Sequence, residues 1–387
     1  MALQRKAVKI RRGRATVTGD KRSYLPRYTV AFACHWPLLT GETGKAERKD
    51  DPEARKRWGC TQQLPARVVP LQEVFVNAPL FCTLCCLLLC TALPLSAQQQ
   101  GYPLRLTDDT GAAVTLSARP IRIVSLTLTT DEMLLTLVDA RRLRGVTLFA
   151  ADPEISNVAE AAARVVHKLD ISVETILSLD PDLVLVADWS DAGPIRQLRD
   201  AGVPVYLMTS GVTIASIEDK ISRLALLTGD TEKGRAMIAE MEARLAAVDR
   251  RVSKLPLEKR LRAIDYAAWG SAQGRGSSWD EMLRRAGLVD AVADFSSDEW
   301  GQVPLSKEKI LQLDPDILVL PGWEYGNPRG AAAFFSQVTG DPALKGLRAV
   351  KTGHVFQMPE RLKSTTSQYI VDAVEWLARR SYPGLFR

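Results

Sequence analysis

Cysteine is missing from most of this 387-residue chain: all six (Cys34, Cys60, Cys82, Cys85, Cys86 and Cys90) precede residue 91. The 290 residues after Ala97 therefore contain no disulfide and no thiolate for catalysis or metal binding. Histidine is nearly as scarce, with only His167 and His354 in that stretch. Such a sequence supplies a zinc site or a nucleophile–histidine triad poorly. It also lacks a Gly-x-Ser-x-Gly elbow, since Gly270-Ser271-Ala272-Gln273-Gly274 has its serine one place early. An exported α/β hydrolase is the alternative from the enzyme class, and these absences weigh against it. Neither a catalytic set nor a resident metal is expected.

Basic charge is also lacking beyond the N-terminus. The formal net charge is +6, but residues 1–70 hold 16 Lys and Arg against six Asp and Glu, whereas 98–387 hold 35 against 38. The larger part thus offers no basic face, and no nucleic-acid partner is expected. Between the two lies the run APLFCTLCCLLLCTALPL (78–95), followed by Ser96-Ala97 and three glutamines. It has the apolar region and small-residue exit of a secretory signal peptide, which predicts cleavage near Ala97 and a periplasmic mature protein. A retained anchor is the alternative, because the run approaches spanning length. The nearest upstream cation is Arg67, so the basic flank is poor, and Leu87-Leu88-Leu89 lacks the small residue expected before a lipidated Cys90. The expected division is therefore a translated leader or disordered extension (1–70), a signal peptide (71–97), an N-terminal α/β lobe (98–212), a linker-helix region (213–255) and a C-terminal α/β lobe (256–387).

From Tyr102 onward the pattern is strand, helix, strand. IRIVSL (121–126), LRGVTLF (143–149), LVLVA (183–187) and VPVYLM (203–208) are apolar β-rich runs separated by helical stretches, the first being TTDEMLLTLVDA (129–140). LVLVA does not alternate, so it is buried on both faces. Residues 214–254 read as almost continuous helix with a break at Gly229-Asp230, its Glu242 and Arg244 on a solvated face. A second series follows: RLRAIDYAA (260–268), DILVLPG (316–322), HVFQM (354–358) and the helix QYIVDAVEWLARR (368–380). The strongest internal signal is a repeat. SVETILSLDPDLVLV (172–186) and SKEKILQLDPDILVL (306–320) match without a gap at Ser, Glu, Ile, Leu, Leu, Asp, Pro and Asp. Ordinary helix–turn–strand chemistry explains one copy; two copies flanking a long helix point to two related lobes.

These segments, with IVSLTLTTDEMLLTL and SSWDEMLRRAGLVD, resemble the periplasmic-binding family that serves ABC importers of iron chelates and cobalamin. The resemblance covers nearly all of 101–387. It implies an α/β fold of two Rossmann-like lobes joined by one long α-helix, a monomer, and a ligand captured between the lobes. It also implies that Glu174 and Glu308 dock an inner-membrane permease, one carboxylate per lobe, where charge pairing sets orientation and encounter rate.

Ligands of open α/β sheets lie beyond strand C-termini. Phe149, Trp189, Trp269 and Trp323 each follow a predicted strand, and Trp300 precedes the second repeat, so these five are the expected ligand-binding residues. Aromatic walls suit a flat, partly apolar metal chelate. In the family, positions matching Phe149 and Trp300 contact cobalamin, which makes cobalamin or a related corrinoid the expected cargo. A ferric siderophore or haem is the alternative. An anionic chelate would use Arg275, Arg329 or Arg361, and haem an axial His167 or Tyr325; His354 reads as structural. Trp279 and Trp376 are expected in the core. Within the extension, His35-Trp36, Gly44-Lys45 and Asp51–Arg55 can be encoded CACTGG, GGGAAG and GACCCGGAAGCCAGG, ordered blocks resembling a cobalamin riboswitch.

Overall fold

Two apolar runs, Leu183–Ala187 and Ile317–Pro321, become interior strands of two separate parallel sheets. The computed structural model describes residues 101–298 and 301–387, so the predicted leader, the signal segment and Trp300 lie outside the described residues. A hairpin of β1 (Leu104–Thr107) and β2 (Ala113–Leu116) leads into the first sheet. That sheet contains β3 (Ile123–Ser125), β4 (Leu143–Thr147), β5 (His167–Leu169), β6 (Leu183–Ala187) and β7 (Val205–Met208) in the order β5-β4-β3-β6-β7, all parallel. The second contains β8 (Arg262–Asp265), β10 (Val289–Asp290), β12 (Ile317–Pro321) and β13 (Val355–Met358) in the order β10-β8-β12-β13, also parallel. β9 (Ser271–Gln273) and β11 (Gln302–Pro304) form a small antiparallel pair beside it.

The first sheet is interleaved with α1 (Leu128–Leu137), α2 (Ala159–Ala163), α3 (Val173–Ser178) and α4 (Ala192–Asp200). The connection is α5 (Ile214–Thr228) and α6 (Thr231–Val252). A reciprocal Thr213–Ser216 cap opens α5, and Gly229, at φ 69°, ends it in the left-handed region that glycine adopts without strain. The chain then folds back, and α5 and α6 pack so closely at Gly234 that a Cβ there would stand 2.4 Å from the Ala225 Cβ. At about 1.5 Å per residue, the 22 residues of α6 form the one long joining helix. Residues of the second sheet's lobe follow as α7 (Ser278–Arg285), α8 (Lys307–Leu313), α9 (Gly330–Gly340), α10 (Arg348–Lys351), α11 (Glu360–Lys363) and α12 (Ile370–Ser381). α5 packs on α1, while α6 packs on α7 and α12. Arg244 is therefore not on a solvated face: it bonds Asp372 and Glu375 of α12, each at 3.0 Å.

Strand alternation distributes the core. Leu183 and Leu185, like Ile317 and Val319, face one continuous apolar cluster that runs through α5 and α6. Val184 and Val186 face a second cluster, and Leu318 and Leu320 a third. Trp279 is fully buried, as expected of the core, whereas Trp376 is only partly buried and packs against the first cluster.

The two repeats share a backbone. Asp180 (φ 48°) and Asp314 (φ 38°) are the two non-glycine residues with positive φ among the described residues. Each reverses the chain at the end of a short helix, and the strand begins two residues beyond the following proline. The second aspartate then accepts backbone N–H groups from the neighbouring strand's start: Asp182 from Ile121 and Arg122 (2.9 and 2.8 Å), Asp316 from Arg262 (2.8 Å). Asp-Pro-Asp thus ties helix end to sheet.

Several predicted strands are shorter than their apolar runs, among them β3, β7 and β8; β4 stops at Thr147, and Leu148–Ala151 is a 3-10 turn, which moves Phe149 off the strand. β1, β2, β5, β9, β10 and β11 have at most four residues each and little uninterrupted apolar character, so periodicity does not reveal them.

Candidate ligand cleft

In each lobe the chain leaves its first strand to one side and returns on the other, which opens a crevice at the strands' C-terminal ends. In the first sheet this switch lies between β3 and β6; in the second it lies between β8 and β12. Trp189 follows β6, Trp269 follows β8 and Trp323 follows β12, so three of the predicted residues stand at switch points. Trp189 is 50% and Trp269 72% exposed, well above what an indole in a core shows. Trp323 is half-buried and meets Tyr325 edge-on at 5.9 Å, Tyr325 itself being exposed. Phe149, partly exposed, follows β4, one strand away from the switch.

The other polar candidates separate. Arg275 is engaged by Asp294 (2.7 Å) and by the Ala293 carbonyl. The Arg329 and Arg361 guanidinium groups form no ion pair among the described residues; Arg329 is exposed and Arg361 partly so. His167 lies in edge strand β5 opposite Gly145, two residues short of the strand's C-terminal end. The His354 carbonyl accepts from Leu318 N–H and its ring packs near Phe356, which is a structural role.

The C-terminal edges of the two lobes meet. Arg361 N–H donates to the Glu154 carbonyl at 3.2 Å, and Asn157 Nδ2 donates to the Arg361 carbonyl at 2.7 Å. Behind this seam lie two adjacent buried carboxylates on α1, which the sequence pattern treats only as acids near a helix start. Asp131 accepts from the Thr147 amide (3.1 Å) and hydroxyl (2.6 Å), and burial pushes its carboxyl up to about 7 against those hydrogen bonds. Glu132 is held by Asn157 and by residues of the other lobe, and burial raises it as well. Two consecutive acids inside an apolar helix are the signal by which sequence reasoning could have found them. Asp188, beside Trp189, is also raised by burial.

Glu174 and Glu308 occupy the same first-turn position of α3 and α8, and both are exposed. Ser172 and Ser306 cap these helices, and the Ser306 hydroxyl holds the Glu308 carboxyl below its ordinary range.

A family model described as periplasmic binding protein matches residues 123–362. The chain belongs to the periplasmic binding protein family. Its members are solute-binding proteins rather than enzymes, and the two lobes with a joining helix are their fold. An uncharacterized ABC transporter substrate-binding lipoprotein of Bacillus subtilis is 24% identical over 74% of this chain and 88% of its own length. A cobalamin-binding protein of Halobacterium salinarum is 27% identical over 57% of this chain and 58% of its own. The solved molybdate periplasmic binding protein of Haemophilus influenzae, with molybdate bound, superimposes with a TM-score of 0.62 at 20% identity, covering 73% of this chain and 92% of that one. The two of these whose names give a ligand bind different ones, cobalamin and molybdate, so the fold of this binding protein leaves its ligand open.

Proposed function

We propose that this binding protein is the extracytoplasmic substrate-binding component of an ABC importer and that its cargo is cobalamin or a related corrinoid. The observation that carries the reading is the placement of Trp189, Trp269 and Trp323 at the switch points of both sheets, exposed or half-exposed. Indoles there offer flat apolar walls to a macrocycle from either side. The similarity to a cobalamin-binding relative supports the same class. Phe149, and Trp300 outside the described residues, extend the wall in this reading. Glu174 and Glu308 dock the permease, and the apolar segment before Ala97 directs export.

A second reading, an anionic cargo such as a ferric siderophore or haem, is favoured by the guanidinium groups of Arg329 and Arg361, which form no ion pair among the described residues. Titration of the purified protein separates the two by tryptophan fluorescence. Saturable quenching by cobalamin and cobinamide, absent with haem and ferric siderophores, is the expected result; the opposite pattern overturns the corrinoid reading. The upstream nucleotide sequence provides an independent check, since absence of the three blocks named above removes their support.

A further inference from the structure

α1 presents Thr129, Glu132 and Thr136 at helical spacing toward the segment Thr365–Gln368 of the other lobe. The Thr129 and Thr366 hydroxyls are 2.6 Å apart. Gln368 Nε2 donates to the Glu132 carbonyl at 2.9 Å and to the Thr136 hydroxyl at 3.2 Å. Glu132 is 2% exposed, and among the described residues no salt bridge to it is formed. One oxygen accepts from the Asn157 amide and Nδ2, both at 2.9 Å. The other accepts from Ser367 Oγ at 2.5 Å and Thr365 Oγ1 at 3.3 Å. A single buried carboxylate therefore joins a loop of one lobe to a segment of the other. The same loop, 147–157, is held at its beginning by Asp131 through Thr147, and it bears Phe149.

We infer that Glu132 is an interlobe pin, a positioning residue that holds the facing edges of the two lobes at a set separation before cargo arrives. The pin matters for capture only through the reading that cargo lies between those edges. Its physical basis is that a desolvated carboxylate is tolerable only with all its acceptor sites used, so the lobes cannot part without stranding it. The seam bonds between Asn157, Arg361 and Glu154 lie next to it at a partly exposed edge.

Hydrogen exchange of the full chain, without cargo, tests the pin directly. In Glu132→Ala, segments 153–158 and 360–369 should exchange about tenfold faster while strands β6 and β12 keep wild-type protection, because only the local opening is eased. Glu132→Gln, which keeps the acceptor for Asn157 and the shape, should restore most of that protection. Wild-type exchange in both segments of Glu132→Ala, or equal loosening of β6, overturns the inference. Should Glu132→Ala fail to fold, Thr365→Ala with Ser367→Ala leaves the glutamate and Asn157 in place; unchanged protection in 360–369 then overturns it. With cobalamin as probe, the Ala variant should release it about tenfold faster with a near-normal association rate. A protein that takes no cobalamin overturns the cargo reading alone, since the exchange result stands without it.

Discussion

The repeat around Asp180 and the repeat around Asp314 have the same turn, the same strand alternation and different neighbourhoods. Around α3, Glu174 stands between Val173 and Thr175. Around α8, Glu308 stands between Lys307, which pairs with Asp341, and Lys309, whose ammonium lies 3.9 Å from the Phe295 ring centre. At the far end of the unit, the first lobe follows its strand with a half-buried Asp188 and an exposed Trp189, the second with Gly322 and a Trp323 braced by Tyr325. The difference teaches which parts the duplication constrains. Residues that make the turn are the same in both copies, because the same backbone needs them, while the strand residues that feed the core differ but stay aliphatic. The neighbours of the shared glutamates and the residues beyond the strand ends differ, because the turn and the core place no demand on them.

The largest expected effect breaks the shared part of that comparison. Reversing both carboxylates, Glu174→Arg with Glu308→Arg, should abolish cobalamin uptake by cells that depend on this protein while leaving cobalamin binding in solution intact. Of the single reversals, Glu174→Arg should be the more damaging, because neighbouring lysines already dilute the charge around Glu308. Equal effects would show that the flanking lysines do not matter to docking.

A second contrast concerns the buried acids of the two lobes. Burial raises Asp131 to about 7 in the first and Asp290 to about 6 in the second. A raised carboxyl holds its proton more tightly when folded, so its contribution to stability is present below the ordinary aspartate range and is lost as pH rises through the folded value. At about 1.4 kcal/mol per unit, Asp131 should cost on the order of 4 kcal/mol by pH 8. Asp131→Asn should therefore raise stability in denaturant melts at pH 8 and leave it nearly unchanged at pH 4. Asp290→Asn should do the same to a smaller degree. A flat pH dependence for Asp131→Asn relative to wild type would contradict this.

The smallest effects sharpen the comparison at the turns. Asp180 and Asp314 both hold a positive φ that glycine takes more easily. The Asp180 side chain is almost fully exposed, so Asp180→Gly should change stability by only a few tenths of a kcal/mol, in either measured melt. The Asp314 carboxylate accepts the Arg348 amide at 2.8 Å and pairs with its guanidinium, so Asp314→Gly should destabilise by roughly 1 kcal/mol. Equal values from thermal melts would mean that the Arg348 contacts carry no weight.

Much of the scaffold was legible because it depends on neighbours in sequence. LVLVA and DILVLPG announce buried strands by their lack of alternation, and Gly229-Asp230 announces the break that frees α6. β1, β2, β5, β9, β10 and β11 were not legible, since two to four residues without a continuous apolar run hold no period. Arg244 was misplaced because a cation on an exposed-looking helix face reads as solvated until a second helix supplies Asp372 and Glu375.

By itself, then, the sequence determined two related α/β units, the helix between them, and which aromatics follow which strands. Each of those follows from local propensity and from a repeat that can be aligned by eye. Only the tertiary structure decided that three tryptophans stand at switch points, because strand order is not written along the chain. It alone brought Glu132 to Thr365 and Ser367, more than 230 residues away. A buried carboxylate is satisfied by whatever donors the fold delivers to it, and no spacing in the sequence records that meeting.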